Sequence, residues 1–197
     1  YCTANLNCLS GFQRRSLDLV FRDITYNIEH HGISALNVED ENFTFQKEYG
    51  LEFLERKKKL QDLRLYFMNG LDYRTLDEEL LGALRSADLL NLGLALVDTE
   101  NTAMIERPAS LSKFRDGVST AKKLGFKVTA YFIAGLPGQT KDHLENLAEF
   151  LSSLGVVIGM SVYYAVPGTQ LFEKNRTRFE GMSFSRMRST AYWTGSE

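Results

Sequence analysis

The sequence predicts an α/β fold built on a parallel sheet, and two observations support this prediction. Segments with helical periodicity alternate with short apolar segments, in the order α-β-α-β-α-β-α-β-α-β. The apolar segments begin about 30 residues apart, which is the usual repeat of a βα unit. Such alternation predicts parallel strands joined by right-handed crossovers. Two architectures remain open, a doubly wound open sheet and an arc of a βα barrel. Both bind ligands at the carboxyl ends of their strands.

The first half of the chain is predicted to hold two helix–strand pairs. Ser16 caps the first helix and Gly32 ends it. The segments that follow each helix are short and rich in apolar residues, as strands are. In order, the predicted elements are a helix at 16–30, a strand at 33–38, a helix at 44–58 that Gly50 weakens, and a strand at 63–68.

The second half continues the alternation. Thr75 and Glu78 have capping-box spacing, which predicts a helix from Thr75 to about Ser86. The next apolar segment is almost free of polar residues, as expected for a strand buried on both faces. The remaining predicted elements are a strand at 89–97, a helix at 111–124 ended by Gly125, a strand at 127–135, a helix at 144–154 and a strand at 156–165.

The composition is that of a soluble globular protein and disfavours several classes of partner. Hydrophobic residues make up 44% and charged residues 24% of the 197 residues. A net charge of -2 gives no electrostatic case for nucleic acid, and the basic run at 56–59 is typical of a solvated helix end. No apolar segment approaches the ~20 residues that cross a membrane. Two cysteines cannot form a disulfide framework, so a cytoplasmic location is expected.

The carboxyl ends of the predicted strands carry residues suited to binding. Turn formation is the competing interpretation for each group, because Gly, Pro, Asn and Asp are turn formers. The acidic group at 39–41 is less easily explained as a turn, since neighbouring carboxylates repel one another unless they hold an ammonium group or a metal. The groups are Glu39-Asp40-Glu41-Asn42, Asn69-Gly70, Asp98-Thr99-Glu100, Gly135-Leu136-Pro137-Gly138 and Pro167-Gly168-Thr169.

The glycine-rich group after the fourth strand has a second interpretation. Its two glycines allow a ligand or a neighbouring backbone to come close, and Pro137 stiffens the turn. Thr140 is placed to cap the helix that follows. A tight connection between a strand and a helix would explain the same residues, so this motif is weak on its own.

Four stretches in order and at suitable spacing resemble the radical S-adenosylmethionine (SAM) superfamily. They resemble most closely the group whose members often carry an upstream cobalamin-binding domain. The family fold is a partial (β/α) barrel, usually of six units, so five units are expected in residues 1–175 and a C-terminal extension is expected to begin in residues 176–197. The stretches are HGISALNVEDENFT at 31–44, NGLDYRTLDEELLGAL at 69–84, KKLGFKVTAYFIAGLPGQT at 122–140 and YYAVPGTQLFEK at 163–174.

The resemblance also assigns the cysteine at the start of the chain. Family members bind a 4Fe–4S cluster through C-x3-C-x2-C, and Cys2 resembles the third ligand. Tyr1 then resembles the aromatic residue that lies near the adenine, and the first strand and two ligands would lie upstream. A rival alignment makes Cys2 the second ligand but needs a cysteine where Asn5 stands. In a third reading Cys2 and Cys8 are ordinary cysteines, and Cys8 matches no cluster position in either alignment.

The resemblance implies a SAM site at the strand ends. The acidic strand end would accept the methionyl ammonium, the fourth strand would pack its backbone against the adenine, and the last strand end would approach the adenosyl group. Carried over in that order, the implied contacts are Glu39, Asp40 and Glu41, then Ile133 and Gly135 with the turn at Pro137 and Gly138, then Val166 and Gly168.

One stretch departs from the family pattern. Relatives often have Gly-Ile-Glu-Ser on the third strand predicted here, whereas this chain has Gly93-Leu94-Ala95-Leu96. Both polar side chains that would face SAM are absent, which puts part of the ribose or carboxylate contact in doubt. Asp98 or Glu100 is a candidate substitute from the following loop.

The leading hypothesis is therefore a radical SAM enzyme domain. The resemblance implies reductive cleavage of SAM to a 5′-deoxyadenosyl radical, or a cobalamin-linked methyl transfer. It also implies an electron donor such as flavodoxin or ferredoxin and an unknown small-molecule or peptide substrate. A second hypothesis is a non-catalytic scaffold that has lost its cluster, which the apolar Ala95 and Leu96 favour. A third, an unrelated βα-barrel lyase or isomerase, ranks last because these strand ends supply no lysine.

Overall fold

Helices and strands alternate along the chain. The computed structural model describes residues 13–40, 42–96, 109–136, 139–164, 166–174, 176–181 and 183. Within these ranges the elements are α1 (Leu17–His31), β1 (Ala35–Asn37), α2 (Lys47–Lys58), β2 (Arg64–Tyr66), a 3-10 turn (Tyr73–Thr75), α3 (Glu78–Ser86), β3 (Asn91–Ala95), α4 (Leu111–Lys123), β4 (Lys127–Ala134), α5 (Lys141–Ser153), β5 (Val157–Val162), α6 (Gln170–Lys174) and α7 (Arg176–Phe179). No helix in the described ranges has the length and apolar character of a membrane span.

Parallel strand pairing confirms the predicted fold class. β1 pairs with β2 in parallel, with Asn37 opposite Tyr66. A parallel bridge joins Leu71 to Leu94, and β3, β4 and β5 form a sheet in that order. Every described strand is shorter than its predicted segment, and four of the five also begin one or two residues later than predicted. The described strands leave both sheets open.

Capping residues set several helix ends as predicted. Ser16 Oγ accepts a hydrogen bond from the backbone N–H of Leu19 at 3.4 Å, which caps α1. Gly32 ends α1 with φ +62°, in the left-handed region that glycine occupies without strain. Thr140 Oγ1 accepts from the N–H of His143 at 3.1 Å and caps α5. These three predictions are confirmed.

The predicted capping box at Thr75 is wrong. Thr75 ends the 3-10 turn, and its hydroxyl lies 2.8 Å from the Asp72 carbonyl to which it donates and 2.5 Å from the Thr44 hydroxyl. Asp77 caps the helix instead, because its carboxylate accepts from the N–H of Leu80 at 2.9 Å. Local bonding to the preceding turn therefore delays the start of α3 to Glu78.

The chain divides into two compact units, of which the first comprises residues 13–95 and 111–130. Its core is formed by leucines of α2 and α3 together with Phe114 of α4. Phe43 packs between Phe53 of α2 and Phe67 after β2, with ring centroids 5.3 and 4.8 Å apart. The residues of this unit with no exposed side-chain surface include Leu54, Leu80, Leu84, Leu94 and Phe114. This packing fixes the ends of β1 and β2 against α2.

The second unit comprises residues 1–12, 96–110 and 131–197. Phe132, Leu147 and Leu151 are buried in its core. Tyr163 continues the pairing at the end of β5, since its N–H donates to the Ala134 carbonyl at 2.8 Å. In contrast to β3, whose central residues are buried as predicted, β5 has no buried residue.

Candidate functional site

The acidic segment after β1 is exposed to solvent in the first unit. Glu39 and Asp40 follow Asn37, the last residue of β1, and both are exposed. Asp40 Oδ1 accepts from the N–H of Asn42 at 2.8 Å, so this carboxylate closes a tight turn. Two of the three predicted ammonium acceptors therefore lie where the strand-end rule placed them. Glu41 lies outside the described residues.

Two asparagines hold the carboxylate of Glu39. Asn37 Nδ2 donates to Glu39 Oε1, and Asn69 Nδ2 donates to Glu39 Oε2 at 2.9 Å. Asn37 also accepts, through its Oδ1, from the backbone N–H of Met68 at 3.1 Å. The side chain of Asn37 thus ties the ends of β1 and β2 together and presents its amide to Glu39.

The strand geometry explains why these residues meet. Side chains two residues apart on a strand share a face, so Asn37 and Glu39 point the same way. Asn37 lies opposite Tyr66 in the parallel pair. Continued past the paired residues, the same register places Glu39 and Asp40 level with Met68 and Asn69. Two strand ends that are separate in sequence therefore form one polar group.

The downstream end of the acidic segment is anchored in the core. Phe43 is 6% exposed and Thr44 is 2% exposed. Thr44 Oγ1 lies 2.5 Å from Thr75 Oγ1, and the Phe43 ring packs on α2 and on the residue after β2. The Phe43 ring lies directly over Gly50 of α2, where a Cβ would meet it at 3.5 Å, an ordinary van der Waals contact. The acidic segment is thus held at both ends.

The residues just before α1 pack against α2 close to Asp40. Tyr49 donates its hydroxyl to the Arg15 carbonyl at 2.9 Å, and Arg14 donates to Gln46 Oε1 at 2.6 Å. Burial raises the pKa of Tyr49, and the negative charge of Asp40 raises it further. The Tyr49 hydroxyl thus ties α2 to the segment that leads out of the predicted cluster loop.

Asn42 carries an unsatisfied acceptor at the same site. Its Oδ1 is buried, and none of the described residues supplies it with a hydrogen-bond partner. A buried acceptor left in this state typically costs about 1–3 kcal/mol. Such an atom next to the acidic segment suits a donor group supplied by a ligand, and it is consistent with a binding site here.

The glycine-rich strand end lies in the second unit. Gly135 has φ +84°, and a Cβ placed on it would meet no atom of the part of the chain that the structure describes within 4 Å. Gln139 is 5% exposed, and its side-chain amide hydrogen-bonds to the backbone of this turn. Its Nε2 donates to the Ile133 carbonyl at 3.1 Å and its Oε1 accepts from the Leu136 N–H at 2.9 Å. Open space beside a braced backbone suits a flat ring lying against residues 133–135.

The last predicted contact is a compact turn. The Val166 carbonyl accepts two hydrogen bonds from Thr169, one from the backbone N–H at 3.2 Å and one from the side-chain hydroxyl at 2.7 Å. Gly168 has φ +86° and is exposed. Thr169 Oγ1 also accepts from the N–H of Phe172 at 3.2 Å, at the start of α6. Val166 and Gly168 therefore sit at the carboxyl end of β5, as predicted.

β3 contains most of the stretch that departs from the family pattern. Leu94 and Leu96 are completely buried, whereas Ala95 is partly exposed. Ala95 stands where relatives often have Glu, so the side chain on the more open face ends at its methyl group. Asp98 and Glu100, the candidate substitutes, lie outside the described residues.

Several predictions fall outside the part of the chain that the structure describes. These are Tyr1, Cys2, Glu41, Pro137 and Gly138, together with the unassigned Cys8. The described residues contain no group of three His, Cys, Asp or Glu side chains placed to hold a metal ion. His30 and His31 are exposed, and His143 is partly buried.

The roles of three residues of the site were missed from the sequence. Asn37 lies inside a predicted strand, Asn69 was placed among the strand-end groups but given no role, and Gln139 follows a turn whose glycines and proline drew attention. For the two asparagines a signal was available, because the strand-end rule brings polar residues of neighbouring parallel strands to one edge. For Gln139 the sequence offered only its position before a helix cap.

Parallel strands that alternate with helices and carry acidic, amide and glycine-rich groups after their carboxyl ends define a βα protein, a class that commonly binds ligands at such strand ends. The sequence matches the radical SAM superfamily over residues 1–151. The chain therefore belongs to this superfamily.

Two curated methyltransferases are similar in sequence. An uncharacterized methyltransferase of Pyrococcus horikoshii is 22% identical over 176 residues, which is 88% of this chain and 38% of that protein. Cytidylyl-2-hydroxyethylphosphonate methyltransferase of Streptomyces wedmorensis is 23% identical over 156 residues, which is 78% of this chain and 29% of that protein. The chain thus spans about a third of the length of these relatives.

A solved structure shares the fold. The radical SAM methyltransferase TsrM of Kitasatospora setae, determined with cobalamin and a 4Fe–4S cluster bound, matches with a TM-score of 0.71 at 17% identity. The match covers 86% of this chain and 35% of that one. This likeness supports the α/β arrangement of parallel strands.

Proposed function

We propose that this chain is the SAM-binding part of a cobalamin-associated radical SAM methyltransferase. The observation that carries the proposal is the Glu39 carboxylate, exposed at a strand end and held by two amide donors. Methyltransferases among the relatives, and cobalamin in a protein of the same fold, support the reaction class. When bound, the cluster supplies the electron for cleavage of SAM and cobalamin supplies a methyl carrier.

The residues present suit the parts of SAM. Glu39 and Asp40 offer carboxylate acceptors for the methionyl ammonium, and charge-assisted hydrogen bonds of this kind are strong. Gly135 leaves open space beside a braced backbone, where the adenine ring would lie. Cys2 remains the proposed cluster ligand, and flavodoxin or ferredoxin the proposed class of electron donor.

The reaction class can be tested by product analysis. The protein carrying its complete cysteine motif would be reconstituted anaerobically with iron, sulfide and cobalamin, then incubated with SAM and a low-potential reductant. Methyl transfer leaves S-adenosylhomocysteine, because the sulfur keeps the electron pair of the broken bond. Reductive cleavage leaves 5′-deoxyadenosine instead. Formation of S-adenosylhomocysteine that depends on cobalamin supports the proposal, and 5′-deoxyadenosine alone assigns a different radical SAM reaction.

A non-catalytic scaffold is the second candidate. The methyl group of Ala95 on the partly open face of β3, and the burial of Leu96 beside it, favour this candidate because neither side chain offers SAM a polar contact. A titration with SAM separates the two functions. Saturable binding by the reconstituted protein supports the enzyme, and its absence supports the scaffold.

A further inference from the structure

We infer that Asn37 and Asn69 are positioning residues, which orient the Glu39 carboxylate toward the ammonium group of SAM. The inference rests on the proposed function and assigns roles within the site. It separates Glu39, the oriented acceptor, from Asp40, which closes the turn. None of the predicted contacts at this strand end included either asparagine.

The hydrogen bonds leave Glu39 able to bind a ligand. Each of its two oxygens accepts one amide N–H, from Asn37 and from Asn69. An ionised carboxylate has about four lone-pair sites, so two remain for an ammonium group. The two amide donors therefore fix the direction of the carboxylate.

Asn37 is itself fixed by the backbone. Its Oδ1 accepts from the N–H of Met68 at 3.1 Å, which determines that its Nδ2 faces Glu39. The Asn37 amide thus links the backbone after β2 to the Glu39 carboxylate. Asn69 approaches from the other strand end, so the carboxylate is held from two directions.

Asp40 is occupied differently. Its Oδ1 accepts from the N–H of Asn42 at 2.8 Å within its own turn. Replacing Asp40 with Asn keeps an oxygen acceptor for this turn, whereas replacing Glu39 with Gln removes the charge that the ammonium meets. The structure therefore assigns a larger share of ammonium binding to Glu39 than to Asp40.

The test measures binding of two probes to the reconstituted protein by equilibrium dialysis. SAM carries the ammonium group, and 5′-methylthioadenosine lacks the entire amino-acid portion. Asn69→Ala and Asn37→Ala should weaken SAM binding roughly three- to tenfold and leave the Kd of methylthioadenosine unchanged. Asn91→Ala, an exposed asparagine at the start of β3, is the matched control and should change neither Kd.

A combined variant tests whether the asparagines act through Glu39. Glu39→Gln should weaken SAM binding more than Asp40→Asn does. Adding Asn69→Ala to Glu39→Gln should then cost little more, because residues that act through one group are not additive. If the effects of Asn69→Ala and Glu39→Gln on SAM binding were fully additive, the inference would be overturned. Asn69 is exposed and outside the strands, so Asn69→Ala decides the matter even if Asn37→Ala fails to fold.

The remaining outcomes are distinguishable. Unchanged SAM affinity in both asparagine variants overturns the inference and leaves the proposed function standing. Equal weakening of SAM and methylthioadenosine also overturns it, because the effect would then come from the shape of the strand end. Failure of the unsubstituted protein to bind SAM overturns the proposed function itself.

Discussion

Gly135 illustrates how a single residue can serve backbone shape and ligand space together. Its φ of +84° lies in the left-handed region, where a side chain costs about 1–2 kcal/mol. No atom of the described residues lies within 4 Å of where a Cβ would stand, so none of these residues requires the glycine for packing. The combination suits a position where the backbone turns sharply and a ligand lies alongside.

We expect Gly135→Ala to impair SAM binding beyond its cost in stability. Gly32→Ala is the matched control, because Gly32 has φ +62° and the same open surroundings at the end of α1. Both variants should lower the free energy of unfolding by about 1–2 kcal/mol, measured by urea denaturation. Only Gly135→Ala should raise the Kd of SAM. Equal Kd values for the two variants would contradict the assignment of the adenine to this turn.

Lys57 is a buried cation with a structural role. It is 1% exposed, and its Nζ donates to the Ala87 carbonyl at 2.9 Å, at the end of α3. Its charged partner Asp88 lies 4.0 Å away and is largely exposed. Lys57 thus satisfies a helix-terminal carbonyl that burial would otherwise leave unpaired.

Lys57→Ala should lower the free energy of unfolding by about 2 kcal/mol or more, since it removes a buried side chain and leaves a carbonyl unpaired. The neighbouring Lys58→Ala is the control, because Lys58 makes only a surface ion pair with Glu55. That change should cost less than about 1 kcal/mol. Thermal or urea unfolding of both variants provides the measurement, and similar costs would show that burial at position 57 contributes nothing.

At the scale of elements, the start of α3 depends on Asp77, which both caps the helix and forms an ion pair. Asp77 caps the helix through the N–H of Leu80 and pairs with Lys47 of α2 at 2.5 Å. The hydrogen bond from Lys47 lowers the pKa of Asp77, and the bond from Leu80 lowers it further. One carboxylate therefore starts α3 and links it to α2.

The cap predicts a pH-dependent stability. Asp77→Ala should lower the free energy of unfolding by about 1 kcal/mol at pH 7. Because the folded-state pKa of Asp77 lies below its ordinary value of 3.8, this contribution is present above that value and is lost as the pH falls through the folded-state pKa. The difference between the two proteins should therefore shrink below about pH 4. Glu79→Ala, which removes only an exposed partner of Lys47, should cost less. A difference that persists undiminished in acid would contradict this role.

The elements also show how far the sequence alone could lead. Alternation of helical and apolar segments was enough for the fold class, and Ser16, Gly32 and Thr140 marked helix ends because their capping depends on local chemistry. The start of α3 was misplaced, since the Thr75 hydroxyl bonds to Asp72 and meets Thr44, 31 residues away. The strand-end rule located Glu39 and Asp40, but the contacts of Asn37 with Met68 and Glu39 depend on strand register, which the sequence did not supply.

At the scale of the molecule, each compact unit presents its own strand ends. The first unit carries the Glu39 group, and the second carries the turns at Gly135 and Gly168. Membership of the radical SAM superfamily makes SAM the proposed ligand of this chain. The central claim is that the exposed, amide-held carboxylate of Glu39 receives the ammonium of that ligand.

The most direct measurement of this claim is the number of SAM molecules bound per reconstituted chain at equilibrium, with Glu39→Gln measured alongside. We expect one saturable site in the unsubstituted protein and clearly weaker binding of SAM in the variant. Absence of saturable binding, or equal affinity in the two proteins, would contradict this role of Glu39.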